Sequence, residues 1–239
     1  MRLVALGAVI AVALAGCGGG GKLRVDAASS LTEVFQQLDP KAQFEFAGSD
    51  QLAFQLEQGA KADVYASASP KYPEKLYREK LVEKPVVFAT NTLVLIVPRE
   101  NSGNVTGLGS LMNPNVKLVL GAKGVPVGDY ARKILARFCG GRKRCPRARI
   151  VSEEQDVKGV VAKVALGEGD AGLVYATDVT PAKGKVVVVE NSGVVEPTVN
   201  YEIAVVRGAK HRAAAKNFVA LLRSPDGRAA LEKAGFGLP

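Results

Sequence analysis

Short apolar runs alternate with segments of helical periodicity from residue 23 to the end of the chain. Short runs bounded by turn residues are typical of buried strands, and apolar positions three and four apart are typical of amphipathic helices. We predict strands over Leu23–Ala27, Gln43–Ala47, Val64–Ala66, Val86–Phe88, Thr92–Val97, Val116–Leu120, Arg149–Val151, Ala171–Tyr175, Lys185–Val189 and Tyr201–Val206. We predict helices over Leu31–Leu38, from Asp50 or Gln51 to Gln58, and over Pro70–Arg78, Gly128–Phe138, Val157–Leu166, Arg212–Leu222 and Asp226–Ala234. This alternation predicts an α/β fold with mixed, mostly parallel sheets flanked by helices.

One polar stretch interrupts the alternation. Residues 99–115 are rich in Asn, Gly and Ser, and the same strand–turn–helix unit occurs on both sides of them. We therefore predict two similar lobes, with the chain crossing from one to the other in this stretch.

The turn after the first predicted strand has a helix-capping pattern. Ser30 is followed three residues later by Glu33, which predicts a capping box with Ser30 at the N-cap. A turn that opens onto unpaired helix N–H groups can bind an anion. Taken alone, the pattern is also typical of a capped helix that binds nothing.

Three later turns share this character. Each follows a predicted strand and opens a predicted helix, at Ala47–Asp50, Gly124–Gly128 and Glu154–Val157. Ligands of open α/β sheets lie beyond the carboxyl ends of the strands. Turns from two lobes that face each other would surround a small anion with helix N–H groups and hydroxyls, without any Lys or Arg.

The composition is that of an ordinary globular protein, but its charge is local. The chain has 239 residues and a formal net charge of +9. Eight basic residues and no acid lie within residues 130–149, and the remaining 24 basic residues nearly balance 23 acidic ones. Because no aromatic residues alternate with these cations in a stacking pattern, we predict a solvated helix end and loop and no nucleic-acid partner. A basic surface adhesin built on 130–149 is the alternative.

The first 17 residues have the features of an export signal. Arg2 precedes the apolar run Leu3–Ala15, which is too short to span a bilayer comfortably, and Leu14-Ala15-Gly16-Cys17 follows the pattern of a bacterial lipobox. We predict a lipoprotein signal peptide over 1–17, lipidation of Cys17, and a glycine-rich tether over 18–22. An ordinary signal peptide with an incidental Cys17 is the alternative.

Two other cysteines lie close together in a chain that we expect to be exported. Cys139 and Cys145 flank a Gly-Gly pair, and a local disulfide fits an oxidising compartment. The single histidine, His211, lies far along the chain, so neither a metal cluster nor a Cys–His nucleophile is indicated.

The motifs of the common hydrolases and nucleotide-binding enzymes are absent. The sequence has no G-x-S-x-G elbow and no phosphate-binding loop. The adjacent carboxylates Glu153 and Glu154 are typical of a solvated helix start. We therefore predict a binding protein rather than an enzyme, with no cofactor.

Taken together, the motifs resemble one known family. The matching pieces, in chain order, are Ala27-Ala28-Ser29-Ser30-Leu31, Phe46-Ala47-Gly48-Ser49, Gln58-Gly59-Ala60-Lys61-Ala62-Asp63-Val64, Val125-Pro126-Val127-Gly128-Asp129-Tyr130-Ala131, Glu154-Gln155-Asp156-Val157, Ala171-Gly172-Leu173-Val174-Tyr175 and Gly235-Phe236-Gly237. Over the whole mature chain, the sequence resembles the molybdate-binding proteins of bacterial ABC importers, in the periplasmic-binding-protein superfamily.

The resemblance implies a fold and a division of the chain. It implies a two-lobe, type II periplasmic-binding-protein fold with the ligand in the cleft between the lobes. Lobe I would comprise residues 23–98 and 203–239, and lobe II residues 99–202.

The resemblance also implies the ligand contacts. They fall on the hydroxyl and N–H of Ser30 and Ser49, the N–H of Val127 and Val157, and the phenol of Tyr175. These groups would contact the oxygens of molybdate or tungstate, with no direct ligation of the metal. The turns had already indicated the first four residues, whereas Tyr175 comes from the resemblance alone.

Two aspartates depart from what an anion site needs. Asp50 follows Ser49, and Asp129 lies two residues after Val127. A carboxylate beside an anion repels it unless the side chain points away, so we expect both to point away, with Asp50 as a helix cap.

The sequence thus predicts an exported, lipid-anchored, monomeric receptor on the outer face of the membrane or in the periplasm. It would capture molybdate, and also tungstate, for an ABC permease. A receptor for sulfate, phosphate or another small tetrahedral oxyanion is the alternative.

Overall fold

The computed structural model describes residues 21–143, 145–182, 184–194 and 198–239. The signal peptide, Cys17 and most of the tether lie outside these residues. The strands are β1 Arg24–Ala28, β2 Gln43–Ala47, β3 Val64–Ser67, β4 Val86–Asn91, β5 Leu93–Pro98, β6 Lys117–Gly121, β7 Arg149–Glu154, β8 Ala171–Tyr175, β9 Val186–Val188 and β10 Val199–Val205. The helices are α1 Thr32–Leu38, α2 Ser49–Glu57, α3 Lys71–Arg78, α4 Pro126–Cys139, α5 Val157–Ala165, α6 Arg212–Arg223 and α7 Pro225–Lys233. Every predicted strand and helix is present, with small shifts at the ends.

The ten described strands form two five-stranded sheets. The first has the strand order β2-β1-β3-β10-β4 and the second β7-β6-β8-β5-β9. In each described sheet two strand pairings are parallel and two are antiparallel. The mixed two-lobe α/β fold is confirmed, although parallel pairings are half of the total rather than most of it.

The chain crosses between the lobes earlier than predicted. Strand β4 belongs to the first sheet and β5 to the second, so the crossing lies at Thr92 and not within residues 99–115. The polar stretch is a surface segment of the second lobe, held down by buried Val105, Leu108 and Leu111. The return boundary at 202/203 is also too late, because β10 already begins at Val199 in the first sheet.

Strand alternation gives the first sheet two apolar faces. On β3, Val64 and Ala66 pack into the larger hydrophobic cluster, whereas Tyr65 packs into a smaller one with helices α2 and α3. On the larger-cluster side, the Phe35 ring on α1 meets the Phe218 ring on α6 edge to face at 5.1 Å. Helices therefore cover both faces, and the parallel strands are buried between them.

The carboxyl ends of the parallel strands converge on one place. Strands β1, β2 and β3 of the first lobe and β6, β7 and β8 of the second each lead into a turn or helix on that side of their sheet. Among the described residues, no helix is long and apolar enough to cross a bilayer.

One acidic side chain is buried where the lobes meet. Asp178 is only 4% exposed, and its Oδ2 has no hydrogen-bond partner within the described residues. It borders a space of about 400 Å³ together with Glu33 of the first lobe and Lys158 of the second. Burial raises the pKa of Asp178 from 3.8 to about 8, against a lowering by Lys158.

This carboxyl makes stability depend on pH. Between about pH 4 and pH 8 the folded protein keeps a proton that the unfolded chain has lost, so stability falls as the pH rises through this window. We predict that Asp178→Asn gains stability over the wild type as the pH rises from 5 to 8, measured by urea unfolding. Asp226→Asn, at an exposed carboxylate on α7, serves as control and keeps the wild-type pH profile. A parallel profile for Asp178→Asn would contradict the assignment.

Candidate functional site

A small cavity lies between the two lobes at the carboxyl ends of the parallel strands. Its first-lobe wall is residues 28–30, 47–49 and 68, and its second-lobe wall is residues 125–127, 156, 157 and 175. Its volume is about 10 Å³, close to the least that admits one water molecule. In this arrangement of the lobes the cavity has room for about one water molecule, so a larger ligand would hold the lobes slightly further apart. All five predicted contact residues line it: Ser30, Ser49, Val127, Val157 and Tyr175.

Three of these residues lie at helix N-termini. Ser49 begins α2, Val127 is the second residue of α4, and Val157 begins α5. The first N–H groups of a helix have no partner within the helix, and the helix dipole makes that end positive. The part of the cavity wall that the structure describes contains no Lys or Arg. The helix dipoles of both lobes therefore supply its positive charge.

Among the described residues of the cavity wall, only Asp156 is acidic, and its carboxylate caps a helix. Asp156 is the N-cap of α5, and its carboxylate accepts a hydrogen bond from the Gly159 N–H at 2.9 Å. Its charge is thus directed at the helix N-terminus that it caps.

The Ser49 hydroxyl has a fixed position in the first lobe. Its Oγ accepts a hydrogen bond from the Ala68 N–H at 3.1 Å, and its carbonyl accepts one from the Tyr65 hydroxyl at 2.7 Å. Since Oγ already accepts, the hydroxyl hydrogen of Ser49 remains available to a ligand.

Ser30 does not form the predicted capping box. It lies in a 3₁₀ turn, Ser29–Leu31, and α1 begins after Leu31 with no side-chain cap. The Ser30 Oγ lies instead 2.9 Å from the hydroxyl of Tyr201 on β10. Glu33 forms an ion pair with Lys158 of the second lobe, at 2.5 Å. Tertiary partners have therefore replaced the local cap that the spacing predicted.

Tyr175 places a buried hydroxyl in the cavity wall. It ends β8 and is 2% exposed, and its hydroxyl oxygen is buried without a hydrogen-bond partner in the described part of the chain. Burial raises the pKa of Tyr175 well above its usual value, so the phenol keeps its proton and can donate. A buried, unpaired donor in a cavity wall is what an acceptor ligand would satisfy.

The two flagged aspartates do not line the cavity. Asp129 accepts from the Gly124 N–H at 2.9 Å and from Lys71 of the first lobe at 3.3 Å, as the expectation that it points away requires. Asp50 makes no capping bond, because the N-cap of α2 is Gly48 and no side chain caps it. Burial raises the pKa of Asp50, and the charge of Asp129 raises it further.

Polar contacts hold the lobes together around the cavity. Besides the Lys71–Asp129 and Glu33–Lys158 ion pairs, the Tyr72 hydroxyl of the first lobe donates to the Gly124 carbonyl of the second. These residues were missed by the sequence analysis. The two ion pairs join residues that are 58 and 125 positions apart in the sequence. Pairs so far apart leave no local pattern that could have indicated them.

Gly48 allows the lobes to approach. A Cβ at this position would lie 2.4 Å from the Gln155 carbonyl oxygen of the opposite lobe. Any side chain there would force the lobes apart. The sequence showed a small-residue turn at this point but not its contact with the other lobe.

Arg142, within the basic stretch 130–149, lies at the C-terminal end of helix α4, whereas Arg132 of the same stretch donates to the Gly121 and Gly128 carbonyls near the other end. Arg142 donates to the Phe138 and Cys139 carbonyls at the helix C-terminus, at 2.8 and 2.9 Å, while the N-terminus lines the cavity. Cations at that end satisfy the last carbonyls and the dipole. The structure pairs Cys139 with Cys145 in a disulfide, with Cα atoms 5.5 Å apart.

The residues described around the cavity do not form a catalytic arrangement. Among the described residues, no group of three His, Cys, Asp or Glu side chains could hold a metal ion. His211 is bonded to Asp63, with Nδ1 and Oδ2 2.9 Å apart, and neither lines the cavity. The arrangement can bind an anion but offers no nucleophile with an adjacent base.

The chain is similar in sequence to known substrate-binding proteins of bacteria. The molybdate-binding protein ModA of Mycobacterium tuberculosis is 36% identical over 234 residues, which are 92% of this chain and 86% of that protein. The putative ABC transporter substrate-binding lipoprotein YvgL of Bacillus subtilis is 29% identical, over 90% of this chain and 85% of its own length.

A solved structure shows the same fold. The periplasmic molybdate-binding protein of Azotobacter vinelandii superposes with a TM-score of 0.77 over 91% of this chain and 100% of that one, at 19% identity. The family model for bacterial extracellular solute-binding proteins matches residues 23–237. The chain therefore belongs to the bacterial extracellular solute-binding proteins, a family of transport receptors rather than enzymes.

Proposed function

We propose that this protein is a lipid-anchored receptor that captures molybdate and tungstate between its lobes and delivers them to an ABC permease. The observation that carries the proposal is the convergence of donors from both lobes on one small cavity without a cation. A relative at 36% identity is named a molybdate-binding protein, which supports molybdate as the ligand.

The proposed contacts are the hydroxyls of Ser30, Ser49 and Tyr175 and the N–H groups of Ser30, Ser49, Val127 and Val157. All of these groups can donate hydrogen bonds, and the negative charge would be balanced by helix N-termini. Because the donors are fixed in place, the site selects by the size and tetrahedral shape of the ligand. Sulfate is smaller than molybdate and would leave donors unsatisfied, whereas tungstate is nearly the same size as molybdate.

Two features support delivery from a membrane anchor. The lipobox ends at Cys17, four residues before the first described residue, and the Bacillus subtilis relative is named a lipoprotein of an ABC transporter. Closure of the lobes over the ligand would give the permease a surface that only the loaded receptor presents. We propose that the receptor acts as a monomer.

The direct test is isothermal titration of the purified full chain, held in detergent, with sodium molybdate and then with tungstate. We predict one-to-one binding of both anions, little changed by a large excess of sulfate. Heat with sulfate or phosphate but none with molybdate would keep the site and change its ligand. Silence with all of these anions would refute the proposal.

Removal of both serine hydroxyls tests the site itself. Ser30→Ala with Ser49→Ala should weaken molybdate binding by about 3 kcal/mol or more, roughly a hundredfold, because hydrogen bonds to charged groups contribute about 1.5–3 kcal/mol each. The matched control is Ser102→Ala with Ser110→Ala, which removes two serine hydroxyls outside the cavity wall. Equal affinities for the two double variants, measured by the same titration, would exclude the assigned contacts.

A further inference from the structure

A chain of buried polar side chains runs from the point where the polypeptide crosses between lobes to the ligand cavity. The Asn91 amide nitrogen lies 2.9 Å from the Thr177 hydroxyl and 3.4 Å from the Tyr201 hydroxyl, and Tyr201 lies 2.9 Å from the Ser30 hydroxyl. All four residues are buried. Ser30 is the only one of the four in the cavity wall.

The orientation of Asn91 fixes one end of this chain. Its side-chain oxygen accepts from the Thr92 N–H at 2.8 Å, which leaves the NH₂ group facing Thr177 and Tyr201. An amide NH₂ can only donate. The hydroxyl oxygen of Tyr201 therefore accepts from Asn91.

The direction of the next bond follows. Tyr201 has one hydroxyl hydrogen, and its other hydrogen-bond partner among the described residues is the Ser30 Oγ. Burial raises the pKa of Tyr201 well above its usual value, so the hydrogen is retained. Tyr201 donates to Ser30, and the single hydroxyl hydrogen of Ser30 is left to point at the ligand.

We propose that Tyr201, oriented by Asn91, is a specificity-determining positioning residue that makes the Ser30 hydroxyl a donor towards the bound oxyanion. This inference rests on the proposed oxyanion site and concerns its choice of ligand. The Ser49 hydroxyl is also left to donate to the ligand, because its oxygen accepts a hydrogen bond from the Ala68 N–H. A protonated oxygen of the ligand is itself a donor and needs an acceptor, but both serine hydroxyls face the ligand as donors. A protonated oxyanion is therefore rejected whatever its size.

A comparison of sulfate with hydrogen phosphate separates the effect of a proton on the ligand from the effects of size and charge. At pH 8 both are tetrahedral dianions of similar size, but only hydrogen phosphate carries a proton. Their affinities are measured directly, by isothermal titration of the full chain with each anion at high concentration in the absence of molybdate. The ratio of the two affinities reports the direction of the serine hydroxyls.

Tyr201→Phe removes the hydroxyl that donates to Ser30 and keeps the ring. We predict that molybdate binds about three to ten times more weakly, the usual effect of one lost hydrogen bond. The preference for sulfate over hydrogen phosphate should fall about tenfold, because Ser30 can now rotate and accept the phosphate proton. A role in packing alone would weaken both anions equally and leave the ratio unchanged.

Asn91→Asp provides a second variant that does not depend on the first. A carboxylate at this position accepts from Tyr201, so Ser30 would donate to Tyr201 and present a lone pair to the cavity. The added negative charge weakens all dianions, but the ratio of sulfate to hydrogen phosphate affinity should again fall.

Tyr65→Phe is the matched control, because Tyr65 is also a fully buried tyrosine of the first lobe. Its hydroxyl donates to the Ser49 carbonyl and leaves the Ser49 hydroxyl accepting from Ala68, so the ratio should stay at the wild-type value.

A wild-type ratio in both Tyr201→Phe and Asn91→Asp, with molybdate still bound, would overturn this inference and spare the proposed function. A fall of the same size in Tyr65→Phe would also overturn it. Failure of the wild type to bind any oxyanion would overturn both.

Discussion

A dianion between two protein lobes has lost its water, and groups of fixed orientation must replace it. In the proposed complex those groups would be helix N-termini and hydroxyls, and the described residues of the cavity wall include no Lys or Arg. Burial of an ion is costly unless its charge is matched, and oriented dipoles match it without a second ion that would itself need desolvation. The mixed sheets serve this end, since the parallel strands of both lobes direct three helix N-termini to one cavity.

Such a site works only if the lobes approach closely. Gly48 allows the first lobe to lie against the Gln155 carbonyl, and Gly128 allows α4 to start against β6, where a Cβ would lie 2.2 Å from the Gly121 carbonyl oxygen. The ion pairs that join the lobes around the cleft, such as Lys71–Asp129, are largely exposed and so contribute little to stability. Close backbone contact, rather than surface charge, thus sets the shape of the cavity.

The hydrophobic pattern predicted the elements well because each strand and helix has its own apolar face. It also located the four turns, since a strand followed by small residues and a helix is a local pattern. The lobe crossing was misplaced because polar composition marks a surface segment as readily as a hinge. The prediction that Ser30 caps α1 was wrong because the Ser30 hydroxyl bonds to Tyr201, which lies 171 residues away in the sequence. Tyr175 needed the family resemblance, because an apolar strand end gives no sign of what faces it across the cleft.

A crystal structure of the protein with molybdate would test the central claim most directly, that neutral donors alone hold the anion. We predict that the anion lies between the lobes, with its oxygens within hydrogen-bond distance of groups on Ser30, Ser49, Val127, Val157 and Tyr175. We also predict that no Lys or Arg side chain touches it. An anion bound elsewhere, or held in the cleft by a cationic side chain or against the Asp50 carboxylate, would contradict the account.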